Sequence, residues 1–269
     1  MFSAMPRRLV LIAAALACAS APAWTAEAQG GAFDAQLVKT GLYLISGGGS
    51  NTVLRLSGDG LIVVDAKAAG SYRALRKKIR RISDQPIRLL ITTDDQSDRN
   101  GNDMQFRADG TRVVSTASVA RNPAAASDTV VASGAPTGSE EIDQFGGIEV
   151  RILRTSAAHC GADTIVYFPD LKSVVVGDLY LDAADPAPAS GGSLASWSRA
   201  LAEILRLDFD VVLPSHGPAI ARAQLLAFKT RIDRLTTSAT PADAFDEWRL
   251  EPTGPLPLSG ETTRTSRSR

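Results

Sequence analysis

Histidine and cysteine are scarce in this chain: 269 residues hold two of each, His159 and His216, Cys18 and Cys160. So few thiols exclude a disulfide-scaffold class. They also leave few nitrogen or sulfur donors for a zinc site. Charge of one sign is lacking too. Lys plus Arg and Asp plus Glu are both 29, so the formal net charge is zero. That balance gives no electrostatic footprint for nucleic acid or an anionic membrane. Beyond the N-terminus no apolar run reaches the length of a membrane span. What is present is ordinary for a globular fold: 44% hydrophobic and 22% charged residues argue against a wholly disordered chain.

The N-terminus reads as an export signal over residues 1–28. Arg7 and Arg8 precede the apolar run Leu9 to Ala17, and small residues follow through Ala23. Small-x-small sites place cleavage after Ala23 or Ala28, so the mature chain begins at Trp24 or Gln29. The run is short for a signal anchor, and Ala15 argues against lipidation at Cys18. The expectation is an exported, periplasmic or secreted protein whose Cys160 stands alone, with no transmembrane segment after signal removal.

Two strand pieces, 35–38 and 42–45, precede a Gly47-Gly48-Gly49 turn, which resembles a phosphate loop only superficially. Strands are expected over 52–56 and 61–65, with 57–60 as a hairpin turn. The unbroken run Leu61-Ile62-Val63-Val64 suits a strand covered on both faces. Residues 72–82 read as a basic amphipathic helix, with Leu75, Ile79 and Ile82 at helical spacing. Its charge run reads as a solvated outer face, with an anion-binding face as the alternative. Strands are expected at 87–91, 111–115, 148–153, 164–168, 173–176 and 210–213, and helices at 116–122, 194–207 and 220–235. Residues 94–101 read as a polar loop and 123–145 as a long loop or lid, with strand pieces within it as the alternative. The folded domain is placed at 29–235 and a flexible tail at 236–269.

Both histidines fall in loops that follow expected strands, where catalytic groups commonly sit. The loops are Ala158-His159-Cys160-Gly161-Ala162-Asp163 and Pro214-Ser215-His216-Gly217-Pro218. Asp65 closes the run 61–64, Ile91-Thr92-Thr93 leads into Asp94, and Val176-Gly177-Asp178-Leu179 closes another strand. Taken together, in this order and spacing, the blocks resemble the metallo-β-lactamase-fold hydrolase superfamily from about Leu42 to Leu235. The resemblance implies an α/β four-layer αβ/βα sandwich, a site on one edge between two sheets, and hydrolase ancestry. It also implies two zincs, bridged by the residue at Asp178, with ligands at positions 94, 96, 98, 99, 159 and 216.

This chain departs from the family signature H-x-H-x-D-H. It reads Asp94-Asp95-Gln96-Ser97-Asp98-Arg99, so all three imidazoles are gone. The remaining metal candidates are Asp94, Asp98, His159, Asp178 and His216, with Gln96 a poor neutral donor. Arg99 is no ligand, because its guanidinium stays protonated. At a crude ~3 kcal/mol per ligand, each loss weakens zinc binding by about a hundredfold. The expectation is no firm cofactor, or one weakly held zinc or other divalent ion. Asp98, Asp178 and His216 form a candidate acid–base set, with Arg99 as electrostatic support. No G-x-S-x-G nucleophile motif is present, and Ser215 lacks the elbow. Cys160 reads as a small buried thiol, with ligation or reaction as the alternative.

Three functions stay open: a protein that binds a small molecule or protein partner with weak hydrolase-like activity, a hydrolase with one unconventional metal, or a scaffold. In the first, the Arg99 guanidinium replaces the charge of the second metal and pairs with Asp98 or Asp178.

Overall fold

The computed structural model describes residues 33–115, 140–155, 157–182, 186–189 and 191–238. The segment 1–28, the helix expected at 116–122, most of 123–145 and the tail beyond residue 238 lie outside the described residues. The first sheet holds β1 (Asp34–Lys39), β2 (Leu42–Ser46), β3 (Thr52–Ser57), β4 (Gly60–Val64), β5 (Ile87–Ile91) and β6 (Arg112–Val114), side by side in that order. The second holds β7 (Glu140–Phe145), β8 (Ile148–Arg154), β9 (Thr164–Phe168), β10 (Ser173–Gly177), β11 (Val211–Pro214) and β12 (Ile220–Ala221), also in order. The helices are α1 (Tyr72–Arg80), α2 (Ser97–Asn100), α3 (Asp103–Ala108), α4 (Leu194–Ile204) and α5 (Arg222–Ser238).

Alternation along the strands builds four layers. In β4, Leu61 and Val63 turn outward onto Leu75 and Ile79 of α1 and Phe106 of α3. Ile62 and Val64 turn inward and meet Val166, Phe168 and Leu213 of the second sheet. A strand with helices on one face and a sheet on the other is apolar at every position, which explains the unbroken run. On the far side, Val174 and Val176 of β10 pack against Trp197 and Leu201 of α4 and Phe228 of α5. Burying each such side chain contributes about 1.5–3 kcal/mol. The result is the four-layer αβ/βα sandwich expected from the sequence.

Parallel pairing decides where the site lies. β4 pairs with β5 in parallel, and β10 pairs with β11 in parallel. Each pair needs a crossover, supplied by α1 and α4. Ligands in such sheets gather beyond the carboxyl ends of the strands. Those ends carry Asp65, Thr92–Asp94, Asp178 and Ser215–His216. The two sheets are joined there, since the Thr164 amide donates to the Thr93 carbonyl at 2.7 Å. Gly177 has φ +58°, and a Cβ on it would lie 3.0 Å from Thr93 Oγ1, so this approach needs glycine.

The structure corrects three sequence expectations. The polar loop 94–101 contains the short helix α2. Residues 103–108 form α3, whose single buried anchor is Phe106; six residues are too few to show a helical period. The last helix begins at Arg222 rather than 220, because Ile220 and Ala221 pair with β11 as β12.

Candidate functional site

Backbone and side-chain ties fix the loops of this edge. The Thr93 amide and hydroxyl both donate to the Asp65 carboxylate, at 2.8–3.0 Å. Burial pushes Asp65 up to about 8, although Arg99 and Thr93 pull against it. Asp65 and Lys67 both adopt positive φ, 65° and 63°. Lys67 is fully buried, and its ammonium donates to the carbonyls of Ile45, Gly47 and Ser50. It thereby fastens the Gly47–Asn51 turn to the site. Asn51 Nδ2 donates onward to the Pro214 and Gly217 carbonyls, at 3.0 and 2.8 Å. The turn and the His216 loop are thus one unit.

Arg99 is the centre of the cluster. Its side chain is 0% exposed and contacts three carboxylates. Nη1 donates to Asp98 Oδ1 at 2.7 Å, and Nη2 donates to Asp178 Oδ2. Nε lies 2.9 Å from Asp94 Oδ2, an ion contact outside hydrogen-bond alignment. Burial opposes the guanidinium charge, but Asp94, Asp178, Asp65 and Asp98 together overcome it and push the Arg99 pKa up. Burial likewise raises Asp94 to about 7 against the attraction of Arg99. Asp94 Oδ1 is taken by the Gln96 amide at 2.9 Å.

The sequence candidates converge as follows. His216 Nε2 is 3.5 Å from Asp98 Oδ2 and 3.8 Å from Asp178 Oδ1. Asp178 Oδ1 is buried and accepts no hydrogen bond among the described residues. His159 is buried, with Nδ1 3.4 Å from Gln96 Nε2 and 3.9 Å from Asp178 Oδ2. Its ring packs edge-on against Trp197, which in turn donates to the Leu179 carbonyl at 3.0 Å. A cleft of about 620 Å³ opens here, lined among others by Gln96, His159, Asp178, Leu181 and His216. All nitrogens of Arg99 face carboxylates, so it orders the acids from behind and does not line this cleft.

Two residues have roles that sequence reading missed. Lys67 is one. The other is Asp163, whose Oδ2 accepts the amides of Ala158, His159 and Cys160 at 3.0–3.3 Å and so shapes the histidine loop. Its Oδ1 lies 3.2 Å from the Cys160 sulfur, and burial pushes that thiol pKa up. A raised thiol pKa suits an inert buried cysteine.

No family model and no curated protein sequence matches the chain. The solved structures do. A metallo-β-lactamase from Pontibacter korlensis superposes with a TM-score of 0.64 at 19% identity, covering 75% of this chain and 99% of its own. The chain has the metallo-β-lactamase fold. The metallo-β-lactamase FIM-1 from Pseudomonas aeruginosa, solved in a mono-zinc form, gives 0.63 at 18% identity, over 76% of this chain and 96% of that one. A stereoselective inverting sec-alkylsulfatase from a Pseudomonas species gives 0.62 at 14%, over 78% of this chain and 43% of that one.

Within the metallo-β-lactamase fold, the residues of this chain do not fit a two-zinc centre. A cation already lies between Asp98 and Asp178, and the chain holds only two imidazoles, His159 and His216. Among the described residues, the donors close enough for one ion are those of Asp94, His159, Cys160 and Asp163, all within 4.8 Å of one another. In that set Asp94 is already engaged by Arg99, and Asp163 by the loop amides.

Proposed function

We propose that this is an exported protein of the metallo-β-lactamase fold with a degenerate metal centre, in which Arg99 supplies the positive charge a metal would bring. It binds a small molecule or protein partner at the edge cleft and has at most weak hydrolase-like activity. The observation that carries this reading is the contact of one buried guanidinium with Asp94, Asp98 and Asp178. Two adjacent carboxylates with no cation between them would repel, and one would take up a proton. His216 is half-exposed beside Asp98 and Asp178 and is the group that meets a ligand. Asp98 and Asp178 lie beside it as charged neighbours, at 3.5 and 3.8 Å.

The test is turnover on a panel comprising a β-lactam, a sulfate ester, a phosphodiester and a thioester, with and without added zinc. No zinc-dependent gain is expected. Zinc-stimulated turnover would instead favour a second reading, a hydrolase with one ion, which the proximity of Asp94, His159, Cys160 and Asp163 supports. Export is tested by the mass of the secreted product. The expected N-terminus is Trp24 or Gln29, and a cytosolic product retaining Met1 would contradict export. Among the described residues no helix is long and apolar enough to cross a membrane.

A further inference from the structure

The charge on α1 is not spent within the fold. Residues 72–81 carry Arg73, Arg76, Lys77, Lys78, Arg80 and Arg81 with no acid among them. Only Arg76 has an ion pair, with Asp109 at 3.6 Å, while Arg73, Lys77, Lys78, Arg80 and Arg81 have none among the described residues. The chain as a whole is neutral, so this surplus is a local segregation of charge. Lys77, Lys78 and Arg80 in the last turn suit the helix dipole, but the cations crowd one another. Arg73–Lys77, Arg76–Arg80 and Lys77–Arg81 are like charges four residues apart, which repel. Arg73 sits in the first turn, where the helix dipole disfavours a cation, and no acid occupies that turn. Ser71, at the N-cap, offers its side chain to none of the free amides. The repulsion among these cations is relieved once an anion is bound.

We propose that this face is a binding site for a small ligand with several phosphoryl charges, separate from the edge cleft. A hollow of about 500 Å³ is lined there by Tyr72, Arg73, Arg76, Lys77, Arg80 and Arg81, and by one acid, Asp109, which Tyr72 and Arg76 hold. That volume suits a discrete ligand. Guanidinium groups pair with phosphoryl oxygens through two hydrogen bonds, and lysine adds a point charge. A membrane surface fits less well, because Leu75 and Ile79 are buried in the core and leave α1 no apolar side to insert. A nucleic acid fits less well too, because nine residues of helix span only about 14 Å.

The probe is inorganic tripolyphosphate, titrated calorimetrically into the full chain. Binding is expected, weakening as salt is raised. Reversing two exposed charges, Arg73→Glu with Lys77→Glu, is expected to weaken it by about tenfold or more. The pair Arg80→Gln with Arg81→Gln should weaken it less, and provides a second reading if the reversal impairs folding. His216→Ala should leave binding unchanged, which separates this site from the edge cleft. Absence of tripolyphosphate binding, equal binding by the charge variants, or capture only by phosphatidylglycerol vesicles would overturn the proposal.

Discussion

Replacing Arg99 with alanine is expected to destabilise the metal-free protein by about 3–5 kcal/mol, the usual loss when one partner of a buried ion cluster is removed. The guanidinium is 0% exposed, and Asp94 and Asp178 beside it are nearly as buried. Without it those buried carboxylates are left with no cation between them. A surface arginine would lose only about 0–1 kcal/mol, so urea unfolding separates the two cases. The loss has a pH signature. In the folded protein Asp65 and Asp94 hold their protons up to about 8 and about 7, whereas the unfolded chain releases them near 3.8. A folded pKa above the unfolded one stabilises at low pH, and that contribution is lost as pH rises through the folded value. Arg99 lowers both pKa values. Its removal raises them further and makes ionisation more costly. The gap between wild type and Arg99→Ala should therefore be widest above about pH 8 and narrow toward pH 5. Arg99→Lys should fall between them, because one ammonium cannot span three carboxylates. Added zinc should recover part of the alanine variant's loss. An effect below about 1 kcal/mol at alkaline pH would contradict a buried pair.

The second large effect is a gain of metal. Asp94→His, Gln96→His and Arg99→His together restore the imidazoles of the signature and remove the competing cation. The other ligands are already in place: His159 Nδ1 is 3.4 Å from the Gln96 amide, and His216 Nε2 is 3.5 Å from Asp98. At roughly 3 kcal/mol per good ligand, each restored imidazole strengthens zinc binding by about a hundredfold. Asp94→His with Gln96→His alone should gain far less, because Arg99 still contacts Asp98 and Asp178. Equal zinc affinity in the double and triple variants would show that the guanidinium does not exclude metal.

The layered fold was legible because burial on both faces leaves a continuous apolar strand such as 61–64, and burial on one face leaves helical spacing such as Leu75 and Ile79. The α3 helix was not legible, since Phe106 is its one buried residue and one residue has no period. At the site, the order of the strand-end blocks singled out Asp98, Asp178, His159 and His216, and the structure brings these side chains close together. The third partner of Arg99 was not foreseen. Asp94 reads as a substitute ligand in sequence, and only the geometry of the turn brings its Oδ2 to Arg99 Nε. Lys67 and Asp163 escaped for a related reason. Each is a single polar residue held mostly by backbone groups, three carbonyls for Lys67 and three amides for Asp163. Backbone partners have no residue type and leave no motif.

The most direct measurement is zinc per chain, by elemental analysis of protein purified without chelator and dialysed against zinc-free buffer. The wild-type chain is expected to retain fewer than two zincs, and the triple histidine variant to retain more than the wild type. Two zincs held by the wild type would contradict the claim that Arg99 occupies the place of a metal between Asp98 and Asp178.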